Sequence, residues 1–357
     1  MDFTASSRDW AARVLGCTRS RAALKSELRE PFEAVCEKPV ADMRAAHGSA
    51  HEFMLANGLV HLALDNVARS RYSNILPYDH GIVSVSRGGY VNASWVRFHG
   101  LDDTRASPWI ITQGPMHPRF FGEDTTGSFW EMVFEHRVKA VVNLARCETG
   151  FGGCARYWPV HDDEFDRGGG GGGASLYAAN EKPVSATYSS DQENGGLVVT
   201  VDCCEEIEPG LWRRQISLRR SSSSSPISSS NAGGHHSLEH FHFENWPNYE
   251  VASDTSTTRK LLRTVVHAST SGDSRHPIVV HCSGGVGRSG TFVAAATTLM
   301  MCGGFSTEQS NDWSSAHFAR LVDRMRKQRH PWMVEGFEQF HFGARLAAME
   351  ILSESDH

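Results

Sequence analysis

The stretch from Pro277 to Phe292 reads PIVVHCSGGVGRSGTF, and it narrows the possible folds more than any other part of the chain. A β-branched apolar run ends at Cys282, a turn with glycines at 284, 285 and 287 follows, and a helix-forming run begins at Arg288. Strand, tight turn and helix are thus joined with almost no linker. A glycine-rich turn of this kind can point successive backbone N–H groups inward as an anion nest. The helix that follows adds its unpaired N–H groups and the positive end of its dipole. Arg288, separated from Cys282 by five residues, closes the ring with a planar fork suited to two oxygens of a tetrahedral oxyanion. The same features pull a thiol below its free pKa of ~8.5, so Cys282 is expected to be a thiolate at neutral pH. A thiolate inside a phosphate cradle is a phosphoryl acceptor.

Plainer readings of the same residues compete. A buried structural cysteine would leave the glycines and the arginine unexplained. Gly285, Gly287 and Gly290 match the spacing of a dinucleotide fingerprint, which needs a second parallel strand about 30 residues on; the downstream NDWSSAHFARLVDRMRKQRH reads as helix instead. A phosphate loop of the nucleotide-hydrolase type needs Gly-Lys-Ser/Thr, and this chain has Gly287-Arg288-Ser289.

Strand patterns occur at Lys139–Ala145, Leu197–Glu206, RRQISLRR, Leu238–Phe243 and Pro277–His281. Helical patterns occur at Gly127–Val138, at SDTSTTRKLLRTVVHAST, and from Arg288 onward. This order predicts an α/β (α+β) fold with a central, mostly mixed twisted sheet flanked by helices. Two low-complexity stretches, the glycines 168–173 and the serine-rich 221–236, cannot bury enough apolar surface to order themselves and are read as insertions in surface loops. The expected division is a helical extension over 1–45 and one domain over 46–354. Net charge −6 argues against nucleic-acid binding by bulk charge. No apolar run reaches the ~18 residues of a membrane span, and MDFTASSRDW lacks the pattern of a secretory signal. Eight irregularly spaced cysteines then read as reduced thiols, and a cytoplasmic protein with possible nuclear access is expected. His235, His236, His240, His242 and the adjacent Cys203 and Cys204 lack metal-ligand spacing, so no metal is expected. The runs RRQISLRR and DRMRKQR are read as solvated basic faces.

HCSGGVGRSGTF resembles the signature loop of the tyrosine-specific protein tyrosine phosphatases, and further blocks resemble that family in order. RSRYSNILPYDH resembles its phosphotyrosine-recognition loop; YVNAS, WIITQGP, FWEMV and ARYWP resemble core motifs; HFHFENWPNYEV resembles the mobile general-acid loop, and MVEGFEQFHF the glutamine loop. Together they run from Arg69 to Phe342, roughly three quarters of the chain. The resemblance implies hydrolysis of phosphotyrosine in proteins through a cysteinyl-phosphate, with no cofactor. Cys282 is then the nucleophile, and Arg288 with the backbone of Ser283, Gly284, Gly285, Val286 and Gly287 holds the phosphoryl oxygens. Ser289 donates to the sulfur and helps it leave, His281 tunes the thiolate indirectly, and Tyr72 packs on the substrate ring beside Trp246 of the acid loop. A low-pKa thiolate also implies inactivation by peroxide.

Several positions depart from the family pattern. Asn248 stands where the family has the aspartic acid that protonates the leaving tyrosine, a contribution worth ~10²–10⁴ in rate. Glu335 stands where the first glutamine positions water, while Gln339 keeps the second. Asn74 replaces an aspartate that binds the peptide backbone, and Gly153 replaces a lysine. Glu250, two residues past Asn248, is a candidate substitute acid. Two readings result: a working but slow phosphatase, or a catalytically impaired module that captures phosphotyrosine proteins.

Overall fold

The computed structural model describes residues 1, 3–87, 89–98, 106–117, 123–147, 153–160, 183–188, 196–220, 234–305 and 313–353. Eight strands form one sheet: β1 (Ala93–Val96), β2 (Trp109–Thr112), β3 (Ala140–Asn143), β4 (Val184–Tyr188), β5 (Leu197–Glu208), β6 (Leu211–Arg220), β7 (His235–Phe243) and β8 (Ile278–His281). Their order is β1-β2-β8-β3-β7-β6-β5-β4. The four central strands β2, β8, β3 and β7 are parallel, and β1 and the β6–β5–β4 meander are antiparallel. The expected mixed sheet with flanking helices is therefore present.

β2, β3 and β8 are largely apolar and buried at every position because both faces are covered, while β7 also carries the buried His236, His240 and His242. Alternate residues feed two separate cores. Ile111, Ala140, Val142, Ile278 and Val280 face one core, built on the helices Ala5–Cys17, Thr255–Thr270, Gly287–Met300, Ser315–Gln328 and Phe337–Ser353. Ile110, Val141 and Val279 face the other, closed by the helix Thr126–Glu135 and by the inner sides of β5 and β6. Each βα connection of the parallel strands opens at their carboxyl ends, which is where open sheets of this kind place ligands.

Residues 5–17 and 21–47 are helical, but the 45/46 division falls inside the helix Lys38–His47. The N-terminal helices are also packed into the larger core rather than appended to it. Trp10 is fully buried, donates from Nε1 to Ser315 Oγ at 2.8 Å, and lies edge-on to Trp313 with ring centroids 6.2 Å apart. Phe32 packs on Phe340 at 5.1 Å. The second expected insertion is shorter than 221–236, because His235 and His236 already pair with Arg219 and Leu218 as the first rungs of β7. The remaining positions 221–233, and the glycines 168–173, lie outside the described residues.

The arginine runs are solvated only in part: Arg213, Arg219 and Lys327 are exposed, whereas other members turn inward. Arg326 donates to the carbonyls of Met333, Val334 and Cys36, and Arg329 is fully buried. In β6, buried Arg214 lies 4.6 Å over the ring of Trp158, and Arg220 pairs with the buried carboxylate of Glu131. Guanidinium groups reach carbonyls and ring faces that the sequence alone does not locate, so a basic run on an apolar helix or strand can turn inward.

Candidate active site

β8 ends at His281, and Cys282 begins the turn at the carboxyl edge of the sheet. Gly285 has φ +70, and a Cβ at that position would fall on the backbone carbonyl of Thr112, so only glycine lets the turn close against the end of β2. The helix Gly287–Met300 starts at once, with its first N–H groups aimed at the turn. The Gly285 N–H lies 3.3 Å from Cys282 Sγ. Burial raises the thiol pKa, but Arg288, the hydroxyl and N–H of Ser289 and the N–H of Gly285 together outweigh it and bring the value below that of an ordinary thiol. The sign is testable with iodoacetamide. A thiol of ordinary pKa loses reactivity steadily below about pH 8.5. The alkylation rate of Cys282 is expected to stay flat well below that pH and then fall, and a profile that tracks free cysteine would contradict it.

Arg288 is 2 % exposed, and its guanidinium links two loops. Nη1 donates to the carbonyl of Leu144, just past β3, at 3.1 Å and to that of Trp246 at 2.9 Å; Nη2 donates to Asn248 Oδ1 at 2.9 Å. The loop after β7 is thereby drawn over Cys282. Trp246 itself is fully buried against Phe342 and donates to the carbonyl of Glu250 at 3.0 Å. It anchors its loop to the core, and contact of its ring with a substrate, expected from the sequence, is not what the geometry offers, since Trp246 does not line the pocket over Cys282.

A pocket of about 430 Å³ opens above the sulfur. Cys282, Gly284, Val286, Gly287 and Arg288 form its floor, and Tyr72, Ile75, Asn74, Asn248, Tyr249, Trp332 and Glu335 form its walls. Ser283, Gly285, Ser289 and Gln339 stand behind that lining. Tyr72 lies against Gly284, where a Cβ would come 3.4 Å from its ring, and its hydroxyl is 2.7 Å from Ser283 Oγ. Arg71 donates to the same Oγ at 3.0 Å. Gln339, 2 % exposed, accepts the Glu335 N–H at 3.1 Å and reaches the Glu250 carbonyl at 3.5 Å. The Glu250 side chain is exposed and does not line the pocket, so the structure does not bring that carboxyl to the site.

Several supporting residues carry no signal of their own in the sequence. Arg329 donates to Asn92 Oδ1 at 2.7 Å and to the carbonyls of Gly284 and Gly285 at 3.3 and 3.4 Å, which turns those carbonyls away from the pocket and leaves the N–H groups facing in. Behind the loop, Tyr157 joins two histidines: its hydroxyl lies 2.6 Å from His281 Nε2 and 2.8 Å from His240 Nε2. Burial lowers His281 to about 4, so the ring is neutral. Its Nδ1, 3.0 Å from the Cys282 carbonyl, must then carry the proton, which fixes Nε2 as acceptor from Tyr157 and makes His240 the donor to it. Asn92 and Tyr157 stand inside the blocks YVNAS and ARYWP; Arg329 stands in the basic run read as a solvated face.

A family model described as protein-tyrosine phosphatase matches residues 66–170 and 180–349. Tyrosine-protein phosphatase 1 of Dictyostelium discoideum is 30% identical over 66% of this chain and 40% of its own length. Human tyrosine-protein phosphatase non-receptor type 2 is 28% identical over 74% of this chain and 52% of its own. The chain thus spans about half or less of the length of these curated relatives. The crystal structure of the catalytic domain of human protein tyrosine phosphatase non-receptor type 18 superposes with TM-score 0.64 at 21% identity, covering 96% of this chain and 99% of that one, and shows that the two share a fold.

Proposed function

We propose, on the premise that this chain belongs to the protein-tyrosine phosphatase family, that its pocket hydrolyses phosphotyrosine in proteins through a cysteinyl-phosphate. One observation carries the reading: a thiolate-favouring Cys282 on the floor of a pocket ringed by the loop backbone, with Arg288 beside it and the ring of Tyr72 as a wall. Cys282 Sγ attacks phosphorus. The N–H groups from Ser283 to Gly287 and the Arg288 fork hold the three equatorial oxygens and stabilise the charge spread over them. The Ser289 hydroxyl stabilises the thiolate as it leaves in the second step. Every group in this account comes from the chain itself, so the reading requires no cofactor.

The wall formed by Tyr72, Ile75 and Asn248 favours an aryl phosphate, whose ring spans the distance from the rim to the sulfur. With Asn74 at the rim, affinity for the peptide backbone is expected to be modest. On this reading the substrates are phosphotyrosine proteins of the cytoplasm, with nuclear access, and no helix among the described residues is long and apolar enough to cross a membrane. The catalytic unit includes the N-terminal helices, since Trp10 and Phe32 brace the two helices on either side of Glu335, the second of which carries Gln339. A second reading, capture of phosphotyrosine without turnover, draws its support from Asn248, which carries no transferable proton and is held by Arg288. The test is phosphate release by the full chain from matched phosphotyrosine and phosphoserine peptides. Release from phosphotyrosine alone is the expected result. Binding of the phosphotyrosine peptide without release would move the assignment to capture, and equal release from both peptides would overturn the pocket argument.

A further inference from the structure

Hydrolysis in this pocket needs a proton delivered to the tyrosyl oxygen in the first step and a proton taken from water in the second. Asn248 can do neither, and its amide oxygen accepts from Arg288. Among the described residues lining the pocket, Glu335 is the one carboxyl. It lies against the nucleophile loop: a Cβ on Gly287 would come 2.5 Å from Glu335 Oε2 and 2.8 Å from Gln339 Oε1, so glycine at 287 makes room for this carboxyl and for the amide beside it. The Glu335 backbone is fixed by its N–H bond to Gln339. Although Glu335 is exposed at the rim, its carboxyl end is shielded enough that loss of water raises its pKa, with Arg288 pulling the other way.

We propose that Glu335 is the acid and base of this pocket, supplying both proton transfers that Asn248 cannot. This inference rests on the phosphatase reading above. In an in-line displacement the leaving oxygen of the first step and the attacking water of the second occupy the same position, opposite the sulfur. One carboxyl that reaches that position therefore serves both steps. In the first, the Sγ–P bond forms as the P–O bond to tyrosine breaks, and protonated Glu335 gives its proton to the tyrosyl oxygen. In the second, the Glu335 carboxylate takes a proton from water while the water oxygen attacks phosphorus. The S–P bond breaks, Cys282 leaves as the thiolate, and Glu335 is protonated again. The neighbouring acids do not fit. Burial raises the Tyr249 hydroxyl and makes it a poorer donor, and the Glu250 carboxyl is turned away from the pocket.

Glu335→Gln separates this role from the placing of water, because a glutamine amide can still hold a water but cannot transfer a proton. In the full chain, the variant is expected to lose ~10²-fold or more in kcat on a phosphotyrosine peptide. With p-nitrophenyl phosphate, whose leaving group departs without a proton, it keeps a burst of about one nitrophenolate per site and then stalls at the cysteinyl-phosphate. Asn248→Asp in the same background is expected to restore turnover. Phosphotyrosine turnover by Glu335→Gln at the native rate overturns the proposal. So does loss of the burst that Asn248→Asp fails to rescue, since Glu335 would then be a packing residue. Absence of any nitrophenolate release by the native protein would sink the phosphatase reading itself, an outcome separate from either.

Discussion

Cys282→Ser is expected to lower phosphate release from a phosphotyrosine peptide by ~10⁶-fold, the scale on which an enzyme loses turnover when its covalent nucleophile is removed. A serine hydroxyl at this site would have no base to ionise it: His281 is neutral but committed to Tyr157 and the Cys282 carbonyl, and Arg288 is a cation. Binding is expected to survive or tighten. The loop N–H groups, Arg288 and Tyr72 are untouched, and the negative sulfur that repels a phosphate dianion is gone. Calorimetric titration of the variant with the phosphopeptide, beside single-turnover phosphate release, checks both halves. Residual turnover near the native rate would rule out the cysteinyl-phosphate route. Loss of binding would mean that the sulfur helps to shape the loop.

Trp10→Ala is expected to cost about 3–5 kcal/mol of stability, the usual penalty for emptying a buried aromatic site. The side chain is fully enclosed, and its Nε1 bond to Ser315 continues to Glu27, since Ser315 Oγ donates to Glu27 Oε1 at 2.8 Å. Truncation would leave Ser315 without that donor and would remove the edge-on contact with Trp313. Urea unfolding would register the effect as a lower midpoint at unchanged slope. A loss below about 1 kcal/mol, the range of ordinary surface substitutions, would mean that the first helix is an appendage, as its sequence suggests.

What could be read from the residues alone divides along physical lines. The junction at Cys282 was legible because strand, glycines, arginine and helix are contiguous, and each constrains the next. β3, β5, β7 and β8 were legible as apolar or alternating runs. β1, β2 and β4 were not read as strands: β1 and β4 are short edge strands whose apolar residues are interrupted by Ser94, Ser185 and Thr187, and β2 was taken up only as part of the block WIITQGP. Arg329, Asn92 and Tyr157 act through contacts across 44 to 237 positions of chain, and local pattern does not encode such pairings. The N-terminal helices looked detachable because their buried face is a few large residues, Trp10, Leu28 and Phe32, spaced among charged ones. Glu335 was noticed as a departure from a family pattern. That it is the carboxyl lining the pocket could only be seen with the fold in hand.

β7 has its two ends at opposite poles of the sheet. Phe243 leads to the loop over the nucleophile, whereas His235, paired with Arg219, marks where the chain returns after the serine-rich stretch. Nine strand residues separate those poles by roughly 25–30 Å. That end of β7 meets the pocket through the rungs the strand shares with β3 and β6. A fluorophore attached at the exposed position 235 would therefore report from that pole with the chemistry a strand's length away.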